Sequence, residues 1–173
     1  MPLAVFENIP SGFAGTRATV QRMHDFAHKG KIDLQLQQIA DSIVQKSGCG
    51  NREYECKAKA IYDFVKKYIR FERDPFGVEM VQEPFVTLKR RAGDCDDHAT
   101  LLASLYGSIG FPYGFKTIKS DKTRRDEFSH IYTVVDIPNK GWVGADTSVD
   151  KASFGWEPEK YFSSKIWYAG VEA

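Results

Sequence analysis

Charge of one sign is missing from this chain. Lysine plus arginine number 24 and aspartate plus glutamate 23, a formal net charge of +1. Composition therefore gives no general pull toward nucleic acid, an anionic membrane or an acidic substrate. Long apolar runs are missing too: none approaches the roughly 18 residues of a transmembrane helix. The start, Met1-Pro2-Leu3-Ala4-Val5-Phe6-Glu7, has neither the basic opening nor the long apolar centre of a signal peptide. Cysteine is scarce. Cys49, Cys56 and Cys95 make an odd count with no Cys-x-x-Cys, which argues against a disulfide scaffold and a structural zinc site. Cys49 and Cys56 could pair across a turn, but the expectation is three reduced thiols in an intracellular setting. No internal repeat, low-complexity tract or domain linker interrupts the chain.

What is present is enough for one packed domain of 173 residues. Residues 1–15, punctuated by Pro2, Pro10, Gly12 and Gly15, read as an extended arm, and 16–173 as a single domain. Thr16 is placed to cap a helix through His28 that Gly30 ends. Asp33 caps a second, stopped by Gly48, and Asn51 a third with a stripe of Tyr54, Ala58, Ile61, Val65 and Tyr68. Ile69 to Arg73 alternates like a short strand. Residues 74–94 read as a long irregular segment, the kind that is often functional. A helix from Cys95 to about Ser108 closes at Gly110 and Pro112. Three β-like runs follow, Tyr113–Lys119, Phe128–Ile137 and Trp142–Asp146, with a short turn between the last two. The tail, with Trp156, Tyr161, Phe162, Ile166, Trp167 and Tyr168, carries enough apolar surface to dock. Helices first and antiparallel strands after is the α+β pattern.

The chemistry gathers at Gly93-Asp94-Cys95-Asp96-Asp97-His98, where a turn becomes a helix. A first-turn thiol faces unpaired backbone N–H groups and the positive end of the helix dipole, both of which favour thiolate. Asp94, Asp96 and Asp97 oppose it. A nucleophile needs a base and an orienter. His24 and His28 lie on a charged helix and read as surface residues. His98 shares a helix face with Cys95, but two side chains on one helix rarely align for proton transfer. His130 opens a strand whose hairpin partner ends in Asp146, so the two carry cross-strand reach. Asp146 would accept from Nδ1 and steady the imidazolium. The Cys95 backbone N–H is one expected oxyanion donor and Gln82 the candidate for the second. Each residue alone has an ordinary structural reading: a core thiol, a strand end, an aspartate turn through Thr147 and Ser148, a solvated loop glutamine. Metal binding by Asp94, Asp96, Asp97 and His98 is disfavoured because a helix start spreads them over several faces.

Taken together, Arg91 to Leu102, the Gly110-Phe111-Pro112 break, Phe128-Ser129-His130-Ile131-Tyr132 and Gly141 to Thr147 resemble the transglutaminase-like branch of the papain-like cysteine enzymes, as does Tyr68-Ile69-Arg70-Phe71. The resemblance covers roughly 55–150. It implies a nucleophile helix packed on an antiparallel sheet, with Cys95 as nucleophile, His130 as base and Asp146 as orienter. It implies no cofactor and no metal, and a protein or peptide substrate rather than nucleic acid or membrane. The chain also looks like small versions of this domain encoded by bacteriophages and prophages. That places it in the cytoplasm of a bacterial host, or on a virion with an assembly partner. The implied activity is acyl transfer through a thioester: amide hydrolysis first, with protein cross-linking or a non-catalytic phage scaffold as alternatives.

Overall fold

The computed structural model describes residues 12–75, 79–125 and 127–169. Five helices precede most of the sheet: α1 (Gly12–Ile32), α2 (Leu34–Ser47), α3 (Tyr54–Tyr68), α4 (Pro84–Arg90) and α5 (Cys95–Ser108). A two-residue ribbon pairs β1 (Arg70–Phe71) in parallel with β2 (Ala92–Gly93). The main sheet holds β3 (Tyr113–Lys119), β4 (His130–Ile137), β5 (Gly141–Ala145) and β6 (Ser163–Tyr168), antiparallel throughout, in the order β5-β4-β3-β6. This is the α+β fold expected from the sequence.

Helix α5 is the hub. Leu101, Leu102, Leu105 and Tyr106 are fully buried. On one side they join Leu36, Ile61 and Val65 of α2 and α3 with Val135 and Ile137 of β4. On the other, Ala99 and Ala103 meet Val20 and Met23 of α1, Phe115 of β3 and Trp167 of β6. Such burial is the main favourable term in the fold. Thr133 of β4 also donates to the Ala99 carbonyl (2.8 Å), which sets the height of β4 against α5.

Several boundaries differ from the sequence reading. Helix α1 begins at Gly12, so the last residues of the expected arm are helical; 1–11 lie outside the described residues. Thr16 is not its cap but donates to the Gly12 carbonyl. Gly30 does not end the helix: it is buried within it, and a Cβ there would stand 2.5 Å from Ser104 Oγ. Close approach of α1 to α5, not termination, is what the glycine serves. Gly30→Ala, favourable by helix propensity alone, is therefore expected to destabilise by about 1–3 kcal/mol through overpacking, read as a lowered midpoint in urea. Asp33 and Gly48 cap α2 as expected, with Gly48 left-handed at φ 75. Helix α3 starts past Asn51, at Tyr54, and the Glu53 carboxylate accepts from Gly50 N instead. The segment read as irregular contains α4, announced by Pro84 at its first turn, and β2. The tail docks as β6, a full strand on the free edge of β3.

Cys49 and Cys56 form a disulfide, with Cα atoms 5.8 Å apart, against the expectation of free thiols. The turn between α2 and α3 folds the chain back and brings the two together. Such bonds persist in oxidising surroundings, so the inference of a reduced compartment loses its support. Cys95 is the free cysteine. No helix among the described residues is long and apolar enough to cross a membrane.

Candidate active site

Cys95 is the first residue of α5 and is half-buried. Asp94 caps the helix, its side chain accepting from Asp96 N (3.0 Å) and Asp97 N (3.2 Å). The Asp97 carboxylate reaches back to Asp94 N (3.2 Å), completing a capping box. Gly93 makes room for this: a Cβ there would lie 2.5 Å from Asp97 Cβ. The Gly-Asp-Cys-Asp-Asp run is thus first a device for starting a helix with the thiol at its tip.

The hairpin supplies the partners. His130 begins β4, and Asp146 follows β5. His130 Nε2 and Asp146 Oδ2 are 2.6 Å apart, the histidine side chain 18% exposed and the aspartate 1%. The bond uses Nε2, not the Nδ1 expected, and so leaves Nδ1 to face elsewhere. Asp146 Oδ1 accepts the Ser148 N–H (3.0 Å) and hydroxyl (2.8 Å). Asp146 therefore forms the turn foreseen as its structural alternative and holds the histidine as well. Tyr62 of α3 secures the same loop through the Asp146 carbonyl (2.8 Å). Burial works against the Asp146 charge, but the bonds from His130 and Ser148 outweigh it and keep this carboxyl below its usual range. The Cys95 sulfur meets the backbone amide of Ile131, next in sequence to His130. Cys95 thus meets the residue after His130, and His130 holds Asp146, at the junction of α5 with the sheet.

The electrostatics depart from expectation. Burial, then Asp96 and Asp94, push the Cys95 thiol well up; only the Ile131 amide pulls the other way. The thiol lies 3.5 Å from Asp96 Oδ1. Asp94, Asp96 and Asp97 are themselves raised by burial and by repulsion from nearby carboxylates, Asp74 among them. Burial and the acidic neighbours together outweigh the Ile131 amide. Alkylation by iodoacetamide, which needs thiolate, is expected to climb with pH above neutral. Asp96→Asn, by removing the nearest carboxylate, is expected to move that profile down by about one pH unit, roughly tenfold in rate at pH 7. An unmoved profile in mass-mapped peptides would show that burial alone sets the thiol.

Gln82 is buried, but not as the sequence reading placed it. Its side-chain amide nitrogen donates to Asp97 Oδ2 and, at 3.5 Å, to the Ala92 carbonyl, while its backbone N–H gives Asp97 Oδ1 a 2.7 Å bond. Arg90 donates to its side-chain oxygen (3.0 Å). Both amide hydrogens are engaged, so none is left for an oxyanion. Gln82 clamps the loop before α4 onto the start of α5. Gln82→Ala is expected to cost about 1–3 kcal/mol by removing the side-chain donor to the buried Asp97 carboxylate and the acceptor of Arg90, measured by urea denaturation. A stable variant with a hundredfold lower rate would instead restore the oxyanion role.

Sequence reasoning missed the place of two histidines. His98 is fully buried, its Nδ1 2.9 Å from Thr147 Oγ1, so it ties α5 to the residue after Asp146 rather than facing Cys95. His24 is not a surface residue: it packs against Phe115 (ring centroids 4.7 Å apart) and Tyr113, and burial lowers its basicity. Its place on the Val20–Met23–Ala27 side of α1 was the available signal. His28 is exposed as expected. Asp94, Cys95 and Asp96 present ligand atoms within 4.8 Å of one another, but all three belong to the capped helix start.

A family model described as the transglutaminase-like superfamily matches residues 37–147. No curated protein matches the sequence. Solved structures that share the fold include two crystal structures. One, described as a putative cysteine protease from Cytophaga hutchinsonii, aligns at TM-score 0.50 and 18% identity over 80% of this chain and 52% of that one. The other, described as a putative protease from Parabacteroides distasonis, aligns at TM-score 0.55 and 14% identity over 75% of this chain and 26% of its own. This chain spans about half the length of the first and a quarter of the second.

Proposed function

From the premise that the chain belongs to the transglutaminase-like superfamily, we propose that it hydrolyses a peptide or side-chain amide through a Cys95 thioester. A cysteine-dependent hydrolase or transferase is the kind of activity this family and fold support. The observation that carries the finer reading is the 2.6 Å bond from His130 to a buried Asp146, beside a thiol at a helix N-terminus.

In this reading the Cys95 proton passes to His130 Nδ1 as the sulfur attacks the amide carbonyl. Asp146, on Nε2, holds the ring and stabilises the imidazolium that forms. Moving the proton to His130 also answers the raised thiol pKa, because the thiolate forms beside a cation only when substrate has excluded water. The oxyanion takes the Cys95 backbone N–H, which has no helical acceptor at this position. His130 then protonates the departing amine and the C–N bond breaks, leaving the thioester. Water attacks the thioester carbonyl, gives its proton to His130, and the acid leaves as Cys95 regains its hydrogen.

Incubation with peptide amides, with and without a primary amine at low millimolar concentration, tests the outcome. Free acid or ammonia regardless of the amine supports hydrolysis. Amine incorporation that outruns water moves the protein to cross-linking. No thioester by mass spectrometry, with full biological activity of a Cys95→Ala protein, moves it to a structural role, for which a phage or virion setting remains the proposal.

A further inference from the structure

Between the end of α3, the ribbon strand β1 and the loop after Asp146 lies an open cavity of about 640 Å³. Its walls carry Lys66, Lys67, Arg70 and Arg91 against one carboxylate, Asp150. Arg70 is paired with Glu72 (2.8 Å). Among the described residues the others form no ion pair with a carboxylate. Lys66 donates to the Val149 carbonyl, and Lys67 stands 5.1 Å over the Tyr68 ring. Arg91 sits at a left-handed helix cap (φ 55), its backbone spent on Thr87 and Arg70, its side chain in no ion pair or hydrogen bond among the described residues. A concave surface of one sign focuses its field on whatever enters. The near-zero net charge of the chain conceals this patch, because the acids balancing it lie elsewhere in the sequence.

Two further observations define the occupant. Tyr68 and Phe71, 45% and 44% exposed, line the same cavity. Strand β1 is paired on one side only among the described residues. The N–H groups of Arg70 and Glu72 go to β2, so that of Phe71 points to the open edge. An open strand edge flanked by pockets is a site for an added strand. We propose that this cavity binds an extended acidic peptide segment along β1, its carboxylates on Lys67 and Arg91. Thr147 and Ser148 form part of the wall and directly follow Asp146, while Cys95 and His130 do not line it, so the bound segment would run past the loop that carries the aspartate. Identifying it as part of the substrate rests on the cysteine-enzyme reading; the binding itself does not.

Fluorescence anisotropy on full-length Cys95→Ala protein, which needs no turnover, tests this. The probe is a labelled heptapeptide of alternating glutamate and valine, compared with its lysine counterpart and with a single-stranded uridylate of equal charge. The acidic peptide is expected to bind at least tenfold tighter than the lysine one. Lys67→Glu/Arg91→Glu protein, shown folded by circular dichroism, is expected to lose that preference. Equal binding of the two peptides overturns the proposal on the unaltered surface, whether or not the charge-reversed protein folds. Tighter binding of uridylate overturns it in favour of a nucleic-acid surface. The cysteine reading fails separately, through Cys95 alkylation and thioester formation, and neither result decides the other.

Discussion

Cys95→Ala is expected to abolish turnover on any amide the protein processes while leaving its melting curve nearly unchanged. The thiol makes no hydrogen bond the fold depends on. Its sulfur lies 3.5 Å from Asp96 Oδ1, a neighbour that disfavours the thiolate, and the side chain packs at the margin of the apolar cluster that holds Ala99 and Ile131. The helix start is held by Asp94 and Asp97, which the substitution does not touch. Without sulfur no thioester forms, and what remains is whatever binding and a single backbone donor contribute. A substrate-independent check is available: an iodoacetamide-alkyne label should fall on Cys95 in the unaltered protein and vanish in the variant, since Cys49 and Cys56 are paired. Retained turnover in Cys95→Ala would falsify the assignment outright.

Asp146→Asn is expected to keep the fold and lower the rate by about 10⁴-fold, the size of the loss in a hydrolase triad when the orienter becomes neutral. The asparagine oxygen can still take the two Ser148 hydrogens, so the turn survives. What is lost is the charge opposite His130 Nε2 and control over which ring nitrogen carries the proton. With Nε2 no longer required to donate, the proton can sit on Nδ1, the nitrogen needed as base. A loss in kcat with little change in KM is the expected signature, measured on the first peptide amide found. A change confined to KM would instead make Asp146 a substrate-binding residue.

The positions of Cys95, His130 and Asp146 were readable because each sits where local patterning is strongest. Cys95 follows a capping aspartate, and His130 and Asp146 bracket a hairpin whose alternation is clean. Their register followed from the turn. What escaped was anything decided by partners distant in the chain. Gln82 looked like a free loop amide because Asp97, fifteen positions on, gives no local sign that it will take both of its donors. His98 looked like a rival base because the reach of Thr147 depends on how α5 packs on the hairpin. Gly30 reads as a stop in one dimension and as a contact in three. Helix α4 was hidden by prolines and glycines on either side, although Pro84 itself marks a helix start. The disulfide was misjudged because a compartment was inferred from cysteine count, which spacing alone cannot decide.

Strand β6 closes the sheet edge at β3 some twenty residues beyond the last position matched by the family model. Helix α1 lies wholly before the first such position, and Trp167 from β6 and Met23 from α1 share one apolar cluster. The span of evolutionary similarity and the unit of cooperative unfolding therefore do not coincide. A fragment cut at 37 and 147 would keep every residue of the proposed triad yet bare the edge of β3 and one flank of α5. It would meet other chains as a template for strand pairing before it met a substrate. Helix α1 and strand β6, which hold none of the proposed triad, cover the flank of α5 and the edge of β3 on which that triad is built.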